Sequence, residues 1–399
     1  MDQDTANRLF EVGAFVVFLA PPPAGIDFGI DMNSWELGRR FSGLKLIPPG
    51  LHFIHSGGVS GIGRVGFFHF FTEREIVVAN WDTATEQIEA APHDSDQVER
   101  LRANLRTLDS SLGPYPLNTT TPSHQFTTYQ RWLRLTQHIT PNLLSRVIPT
   151  GYIGSMTSVS RFSDVVSPST NMETSSTLAN TEWLHFTWID LKRSFPQGAS
   201  GAELTRYSID KSYLLRKLLE GQYSDYKDLL GELELSFIIF LVGQVYDGLE
   251  QWKILVTLLC SCHELLELQV DMFIGFTGVL LVQLQELPED FFIDALSGDS
   301  FLRHALRMYT SSVASTTSYH TPMRAMPRNT DLVRSMDTLL DFVENYFQWE
   351  LRTEARLAAE GDEEEEGEYA PVIVNSDDDK HHTDGLQNTL SPDVRMDEA

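Results

Sequence analysis

The spacing of apolar residues changes near the middle of this chain, and that change constrains the fold more than any other feature. Before Trp81, apolar residues form short runs rich in Val, Ile and Phe, such as Ala14 to Leu19 and Val65 to Phe71. From Glu203 to Leu357 they recur instead at three- and four-residue intervals over long segments. The first pattern predicts a small folded sheet, and the second predicts an all-α bundle of five or six helices.

Two helices and a further strand are predicted between these regions. One helix begins near Ser95 and ends before Gly113-Pro114, and another covers Thr128 to His138. The run from Trp183 to Leu191 resembles a strand that leads into the helical region.

These patterns predict an α+β multidomain protein. A β-rich N-terminal domain with flanking helices covers residues 1–150, and a Ser/Thr-rich linker covers 151–180. An all-α helical C-terminal domain covers 181–358. Residues 359–399 form an acidic disordered tail with one strand-like segment, 369–374.

Acidic residues dominate both the tail and the rest of the chain. The formal net charge is -26; from Gly361 onward, 13 Asp and Glu stand against Lys380 and Arg395, which leaves -11 there and -15 elsewhere. Such charge repels phosphate, so direct sequence-specific nucleic-acid binding is not expected. A partner with a basic surface is favoured, because opposite charge accelerates encounter.

The chain carries few signs of secretion or membrane attachment. Its two cysteines, Cys260 and Cys262, lie too close together for a disulfide framework, which favours a reducing compartment. The apolar run from Val12 to Ala20 is far shorter than the roughly 20 residues of a membrane span. We expect no membrane association and a location in the cytoplasm and nucleus.

One histidine pair and one cysteine pair lie close enough in sequence to be candidate metal ligands. His52 and His55 are three apart, so on a strand their side chains point to opposite faces. Cys260 and Cys262 are two apart, so on a helix they point about 200° apart. We therefore expect no metal site and no cofactor, and we interpret these residues as part of the core.

A motif between residues 29 and 53 combines turn-forming and polar residues. Asp31 and Asn33 suit a turn, and Pro49-Gly50 suits a type II turn into the next strand. We expect the motif to build the fold or to bind a partner. The residues concerned are Gly29, Asp31, Asn33, Trp35, Pro48, Pro49, Gly50 and His52.

A hydrolase with a site in this N-terminal domain is the alternative interpretation. It requires Asp31, His52 and His55 to converge, because catalytic groups must lie within hydrogen-bond reach of a shared substrate. Side chains more than about 10 Å apart would exclude it.

The tail contains one apolar island in charged surroundings. Its residues are Ala370, Pro371, Val372, Ile373 and Val374. Such a segment is suited to strand addition at the edge of a partner's sheet, where main-chain hydrogen bonds supply affinity. Docking on the protein's own body is an equal alternative.

Several sequence blocks, in order along the chain, resemble the A1-cistron splicing factor family, the assembly chaperones of the U5 snRNP. The first block is the Gly29-to-His55 motif. The second includes Gly231, Glu232 and Trp252. Later blocks are Leu287-Pro288-Glu289-Asp290-Phe291-Phe292 and the island Ala370–Val374, which is similar to the family's C-terminal segment.

The resemblance implies a non-catalytic assembly chaperone in pre-mRNA splicing. Members of the family bind the largest U5 protein at its RNase H-like and MPN-type domains during cytoplasmic assembly. They delay binding of the U5 RNA helicase, which takes their place in the nucleus. The C-terminal segment is expected to pair as a strand with the partner, and release is associated with phosphorylation.

Phosphorylation has candidate acceptors in the linker. An added phosphate would increase an already negative charge and would weaken binding to an acidic partner surface or order a segment. The candidates are Ser155, Ser158, Ser160, Ser163 and Ser167, which lie in sequence expected to be accessible to kinases.

Overall fold

A computed structural model describes most of the two predicted folded regions. The described residues are 12–57, 64–90, 95–120, 125–153, 184–289, 291, 301–318 and 327–360. The linker serines and the tail segment Ala370–Val374 lie outside these residues.

The N-terminal region is built from ten described strands in two five-stranded sheets. The strands are Ala14–Ala20 (β1), Asp27–Ile30 (β2), Asn33–Glu36 (β3), Gly43–Ile47 (β4), Gly50–Gly57 (β5), Arg64–Phe71 (β6), Ile76–Asp82 (β7), Gln87–Ala90 (β8), Leu112–Pro114 (β9) and Tyr152–Ile153 (β10). The first sheet has the order β8-β7-β1-β4-β9 and is mixed, because β1 pairs in parallel with β7 and β4 with β9. The second has the order β10-β6-β5-β2-β3 and is antiparallel. The predicted β-rich region is confirmed.

Helices account for most of the rest of the described chain. They are Ser95–Leu108 (α1), Thr128–Leu135 (α2), Pro141–Val147 (α3), Ala202–Ile209 (α4), Ser212–Gly221 (α5), Tyr226–Leu241 (α6), Tyr246–Cys260 (α7), His263–Leu268 (α8), Val270–Leu284 (α9), Phe301–Ser318 (α10), Pro327–Tyr346 (α11) and Leu351–Glu360 (α12). Local signals explain several helix starts: Thr127 and Gln130 form a capping box before α2, and Thr140 caps α3 with Pro141 in its first turn. The predicted α+β architecture is confirmed.

The two sheets pack face to face. Side chains alternate between the faces of a strand, so Val16 and Leu44 of the first sheet meet Phe28 and Ile54 of the second in one buried cluster. The outer face of the first sheet is covered by α1, whose Leu105 packs with residues of β1 and β7.

The outer face of the second sheet shares a core with the helices. Phe53 and Phe68 belong to the same buried cluster as Trp132 of α2 and Leu230 of α6. The indole N–H of Trp132 donates to the main-chain oxygen of Leu51 at 2.7 Å, which fixes α2 on the sheet. Helices α2 and α3 therefore lie between the sheets and the helical region.

Helix α6 is the central helix of the helical region. Every residue from Leu229 to Ile239 is buried, including two glutamates. A helix that is buried nearly all round is typical of the centre of a helical region.

The strand predicted at Trp183–Leu191 is wrong in its described part. Residues 184–190 run without a β-ladder. Two main-chain N–H groups of this segment form hydrogen bonds outside any sheet. His185 N–H donates to Val147 O at 2.8 Å, and Thr187 N–H donates to a Glu232 carboxylate oxygen at 2.8 Å. Leu184, Phe186 and Ile189 of this segment are buried in the core of the helical region. Composition alone does not distinguish such a segment from a strand.

Candidate functional site

The first motif surrounds the buried carboxylate of Asp31. This residue has a φ of 55° at the turn between β2 and β3, a conformation that Asp tolerates better than most residues. Its Oδ2 accepts from His52 Nδ1 at 2.7 Å and from Tyr115 Oη at 2.6 Å. Its Oδ1 accepts from Phe53 N–H at 2.9 Å. One carboxylate thus joins the β2–β3 turn, β5 and the segment after β9.

His52 is held at both ring nitrogens. Nδ1 faces Asp31, and Nε2 lies 2.9 Å from the main-chain oxygen of Pro48. Both neighbours are oxygen atoms, and the two contacts fix the orientation of the ring. This contact closes the turn at Pro49 and Gly50, where Gly50 has a φ of 131°.

His55 lies on the other side of the Asp31 turn and is fully buried. Burial, helped by the positive charge of Arg64, lowers its pKa to about 3, although the hydrogen bond to Asp31 O opposes this shift. The neutral ring therefore donates from Nε2 to Asp31 O at 3.1 Å. Gly29 makes room for this ring, since a Cβ there would lie 2.2 Å from His55 Cε1.

The three residues of the hydrolase alternative do converge, but they are enclosed. Asp31 and His52 are each 1% exposed, and His55 is 0% exposed. A substrate would have to displace the core to reach them. Trp35, another residue of the motif, serves packing: its ring contacts that of Phe28 edge to face, with ring centroids 5.7 Å apart. Asn33 lies in the same strand, β3. The geometry supports a structural role, in which Asp31, His52 and His55 hold the β2–β3 turn against β5.

The second motif surrounds another buried carboxylate, Glu232 of α6. It accepts from the Thr187 N–H and hydroxyl, each at 2.8 Å, from Gln251 Nε2 at 3.0 Å, and from Arg146 at 2.7 Å. The donors come from the 184–190 segment, from α7 and from α3. Four hydrogen bonds compensate a fully buried charge, so this site stabilises only as an intact network.

Neighbouring residues of α6 hold the chain that follows α2. Glu234 accepts from the main-chain N–H and from Nδ1 of His138, both at 2.7 Å. Burial raises the pKa of Glu234, and its hydrogen bonds and charge interaction with His138 counteract this. Gly231 permits the close approach, because a Cβ there would lie 2.5 Å from His138 O.

Trp252, the last residue of this motif, is a core residue. It is fully buried, its Nε1–H donates to Gln283 Oε1 at 2.8 Å, and its ring lies 5.5 Å from that of Phe237. It therefore joins α7 to α9 and α6.

The described residues contain neither a cluster of metal ligands nor a membrane-spanning helix. Among the described residues, no group of three or more His, Cys, Asp or Glu side chains is arranged to hold a metal ion. Cys260 and Cys262 are both buried, which raises the pKa of each thiol. None of the helices in the described ranges has the length and apolar character needed to cross a bilayer.

The turn motif singled out Asp31 and the family resemblance singled out Glu232, but neither indicated most of the hydrogen-bond partners of these carboxylates. Arg146 and Thr187 lie 86 and 45 residues from Glu232 along the chain, and Tyr115 lies 84 residues from Asp31. Hydrogen-bond partners at such separations leave no periodic signal. A buried glutamate in an apolar helix was the one usable hint, since a buried charge requires partners.

Comparison with known proteins places these motifs in a family. The domain described as "AAR2 N-terminal domain" matches residues 12–149, and the one described as "AAR2 C-terminal repeat region" matches residues 186–352. The chain is 36% identical to the human protein named AAR2 homolog over 349 residues, which cover 79% of this chain and 86% of the human one.

More distant relatives give the same result. The mouse AAR2 homolog is 34% identical over the same shares of the two chains. The Caenorhabditis elegans AAR2 homolog is 32% identical over 372 residues, which cover 87% of this chain and 97% of that one. The resemblance to the A1-cistron splicing factor family is confirmed, and the chain belongs to the AAR2 family.

Proposed function

We propose that this protein is a non-catalytic assembly chaperone of the U5 snRNP in pre-mRNA splicing. It binds the largest U5 protein through that protein's RNase H-like and MPN-type domains, and it delays binding of the U5 RNA helicase. The observation that carries the proposal is the match of both family domains across residues 12–149 and 186–352.

The buried state of the motif residues supports a binding role over a catalytic one. Asp31, Glu232 and Trp252 are engaged in the protein's own core. They hold the sheets and helices in one arrangement, which leaves the surface and the tail to contact a partner. A preorganised surface reduces the entropy lost on binding.

Regulation and location form part of the proposal. The protein acts in the cytoplasm during assembly and leaves the particle in the nucleus. Phosphorylation of the linker, at one or more of Ser155, Ser158, Ser160, Ser163 and Ser167, favours release because the added phosphate repels an acidic surface of the partner or orders a segment of this chain.

Calorimetry tests the binding step. The purified full chain is titrated with the recombinant RNase H-like domain, with the MPN-type domain, and with both together. Binding of micromolar affinity or tighter, at a 1:1 ratio, is expected. The U5 helicase is then added to the preformed complex, and slower helicase binding than to the free domains is expected. No heat from any combination would contradict the proposal.

A further inference from the structure

The turn that precedes β4 carries two adjacent arginines. Arg39 and Arg40 are both exposed, and the two residues that follow them, Phe41 and Ser42, are half-buried. Ser42 is the only serine or threonine in this sequence with arginine at both the second and the third position before it. Basophilic protein kinases select such serines, because acidic residues in their substrate grooves bind the two guanidinium groups. The turn therefore has the residue pattern of a substrate for a kinase of this class.

The segment 39–42 is docked against the sheets by its last two residues. Ser42 N–H donates to Ser111 O at 3.0 Å, and Ser42 O accepts from Phe18 N–H at 2.8 Å. The ring of Phe41 packs beside those of Phe18 and Phe28, with centroids 6.0 and 5.0 Å away. A half-buried hydroxyl cannot enter the active-site cleft of another enzyme while these contacts hold. Modification of Ser42 therefore requires the segment to open.

Glycines border this segment on both sides and permit that opening. A Cβ at Gly38 would have no described atom within 4 Å apart from its neighbours in sequence. Gly43 has a φ of 148°, and a Cβ there would lie 1.9 Å from Val16 O. Glycine has more backbone freedom than any other residue. Residues 39–42 can therefore swing out while β4 stays paired with β1, since a short local opening needs less free energy than global unfolding.

We propose that Ser42 is phosphorylated by a basophilic protein kinase, and that the phosphate holds residues 39–42 away from the sheets. Ser42 Oγ attacks the γ-phosphorus of magnesium-bound ATP and forms the Oγ–P bond. The bond from that phosphorus to the β,γ-bridging oxygen breaks, and ADP leaves with the electron pair. The hydroxyl proton passes to the catalytic aspartate of the kinase. This inference does not rest on the proposed function, and Ser42 lies outside the predicted linker.

Charge explains why the modified segment stays undocked. A phosphoserine carries about two negative charges at pH 7, and burying an unpaired charge is far more unfavourable than leaving one half-buried phenylalanine ring in water. Lys45, three residues further on, is already paired with Asp109 at 2.6 Å. Arg39 and Arg40 are exposed, so a pair with either of them holds the phosphate in solvent. The open conformation therefore solvates the phosphate better than the docked one.

Phosphorylation of the purified full chain tests the acceptor. The enzyme is the catalytic subunit of cAMP-dependent protein kinase, which selects arginines at these two positions, and mass spectrometry locates the phosphate. We expect phosphate on Ser42, and its loss from that peptide in Ser42→Ala. Arg39→Gln with Arg40→Gln should lower kcat/KM for Ser42 by about tenfold or more. Arg100→Gln with Arg102→Gln removes the same charge from exposed positions on α1, and this matched control should react normally.

A further variant tests the opening step. Phe41→Ala removes the ring that packs beside Phe18 and Phe28, so it should increase the open population and raise the rate at Ser42 by about fivefold or more. Leu133→Ala, which removes a side chain that is 47% exposed on α2, is the control and should leave the rate unchanged. Melting temperatures confirm that the variants are folded.

Amide hydrogen exchange tests the effect of the phosphate. The amide hydrogens of Phe18 and Ser42 form the two hydrogen bonds that opening breaks, so phosphorylation should speed their exchange by about tenfold or more. The amide of Asp31, which donates to Phe53 O at 2.8 Å, is the internal control and should exchange as before.

Each half of the proposal has results that would overturn it. The acceptor assignment fails if Ser42 stays unmodified while the kinase fully modifies a standard peptide, or if the double arginine variant reacts as fast as the wild type. The undocking fails if exchange at Phe18 and Ser42 is the same with and without phosphate, or if folded Phe41→Ala reacts no faster. The calorimetric test with U5 domains is independent of all these results.

Discussion

At the scale of single residues, Gly231 makes the sharpest prediction about stability. A Cβ at this position would lie 2.5 Å from His138 O and 2.7 Å from Leu143 Cδ2. Gly231→Ala should therefore push α6 away from α3 and lower the free energy of unfolding by about 1–3 kcal/mol, as overpacking does. Urea unfolding measures this change.

Gly278 provides the matched control, because it lies inside helix α9 with nothing within 4 Å of the added Cβ. Gly278→Ala should raise stability by about 0.5–1 kcal/mol through helix propensity. If both substitutions stabilise the protein equally, the close contact at Gly231 does not exist in solution.

His55 gives a residue-scale prediction about acid stability. Its pKa in the folded protein is about 3, against 6.5 for the unperturbed group, because burial penalises the charged ring. The unfolded chain therefore binds a proton that the folded chain rejects, and stability falls as pH falls from about 6.5 towards 3. At pH 5 this loss amounts to about 2 kcal/mol.

His55→Gln removes that proton linkage. Between pH 7 and pH 5, the wild-type protein should lose about 2 kcal/mol more unfolding free energy than the variant. The exposed His185→Gln serves as the control and should follow the wild type. An NMR titration of His55 with a midpoint near pH 6.5 would contradict the prediction.

At the scale of secondary-structure elements, sequence patterns predicted the helices and strands whose formation depends on local apolar spacing and turn residues. The helical region was predicted from apolar residues at three- and four-residue intervals, and the sheets were predicted from short Val- and Phe-rich runs. The segment at 184–190 was misread, because its backbone partners are a helix end and side chains far away in the chain. Asp31 and His52 were singled out, but their burial was set by packing that no local pattern encodes.

The tail segment Ala370–Val374 makes the element-scale prediction about binding. If it adds a strand to a partner's sheet, deleting residues 361–399 should weaken binding to the U5 domains at least about tenfold without changing the melting temperature. A double substitution, Val372→Pro with Val374→Pro, should reproduce most of the loss because proline cannot donate to a ladder. Gln387→Pro with Thr389→Pro, in the same tail, is the control. Equal affinity for all of these chains would exclude strand addition and leave docking on the protein's own body as the alternative.

At the scale of the whole molecule, the described sheets and helices are joined by a continuous buried cluster and by polar contacts. The cluster includes Phe53 of β5, Trp132 of α2 and Leu230 of α6. The ion pair between Arg131 of α2 and Glu286, just after α9, is a further contact between α2 and the helical region. Neither region can separate without exposing this apolar surface and breaking the Glu232 network.

The two regions should therefore unfold together. Unfolding in urea is monitored with two probes, circular dichroism for the loss of helix and tryptophan fluorescence for the exposure of buried tryptophans. The two transitions should coincide and have one midpoint. Arg146→Leu, which removes one donor from Glu232 and leaves this buried carboxylate short of a partner, should lower that midpoint while keeping the two probes coincident. Arg193→Leu, at a weak surface pair with Asp190, is the control and should leave the midpoint unchanged. Two separated transitions in the wild-type chain would mean that the shared core does not couple the regions, and that each folds as a unit of its own.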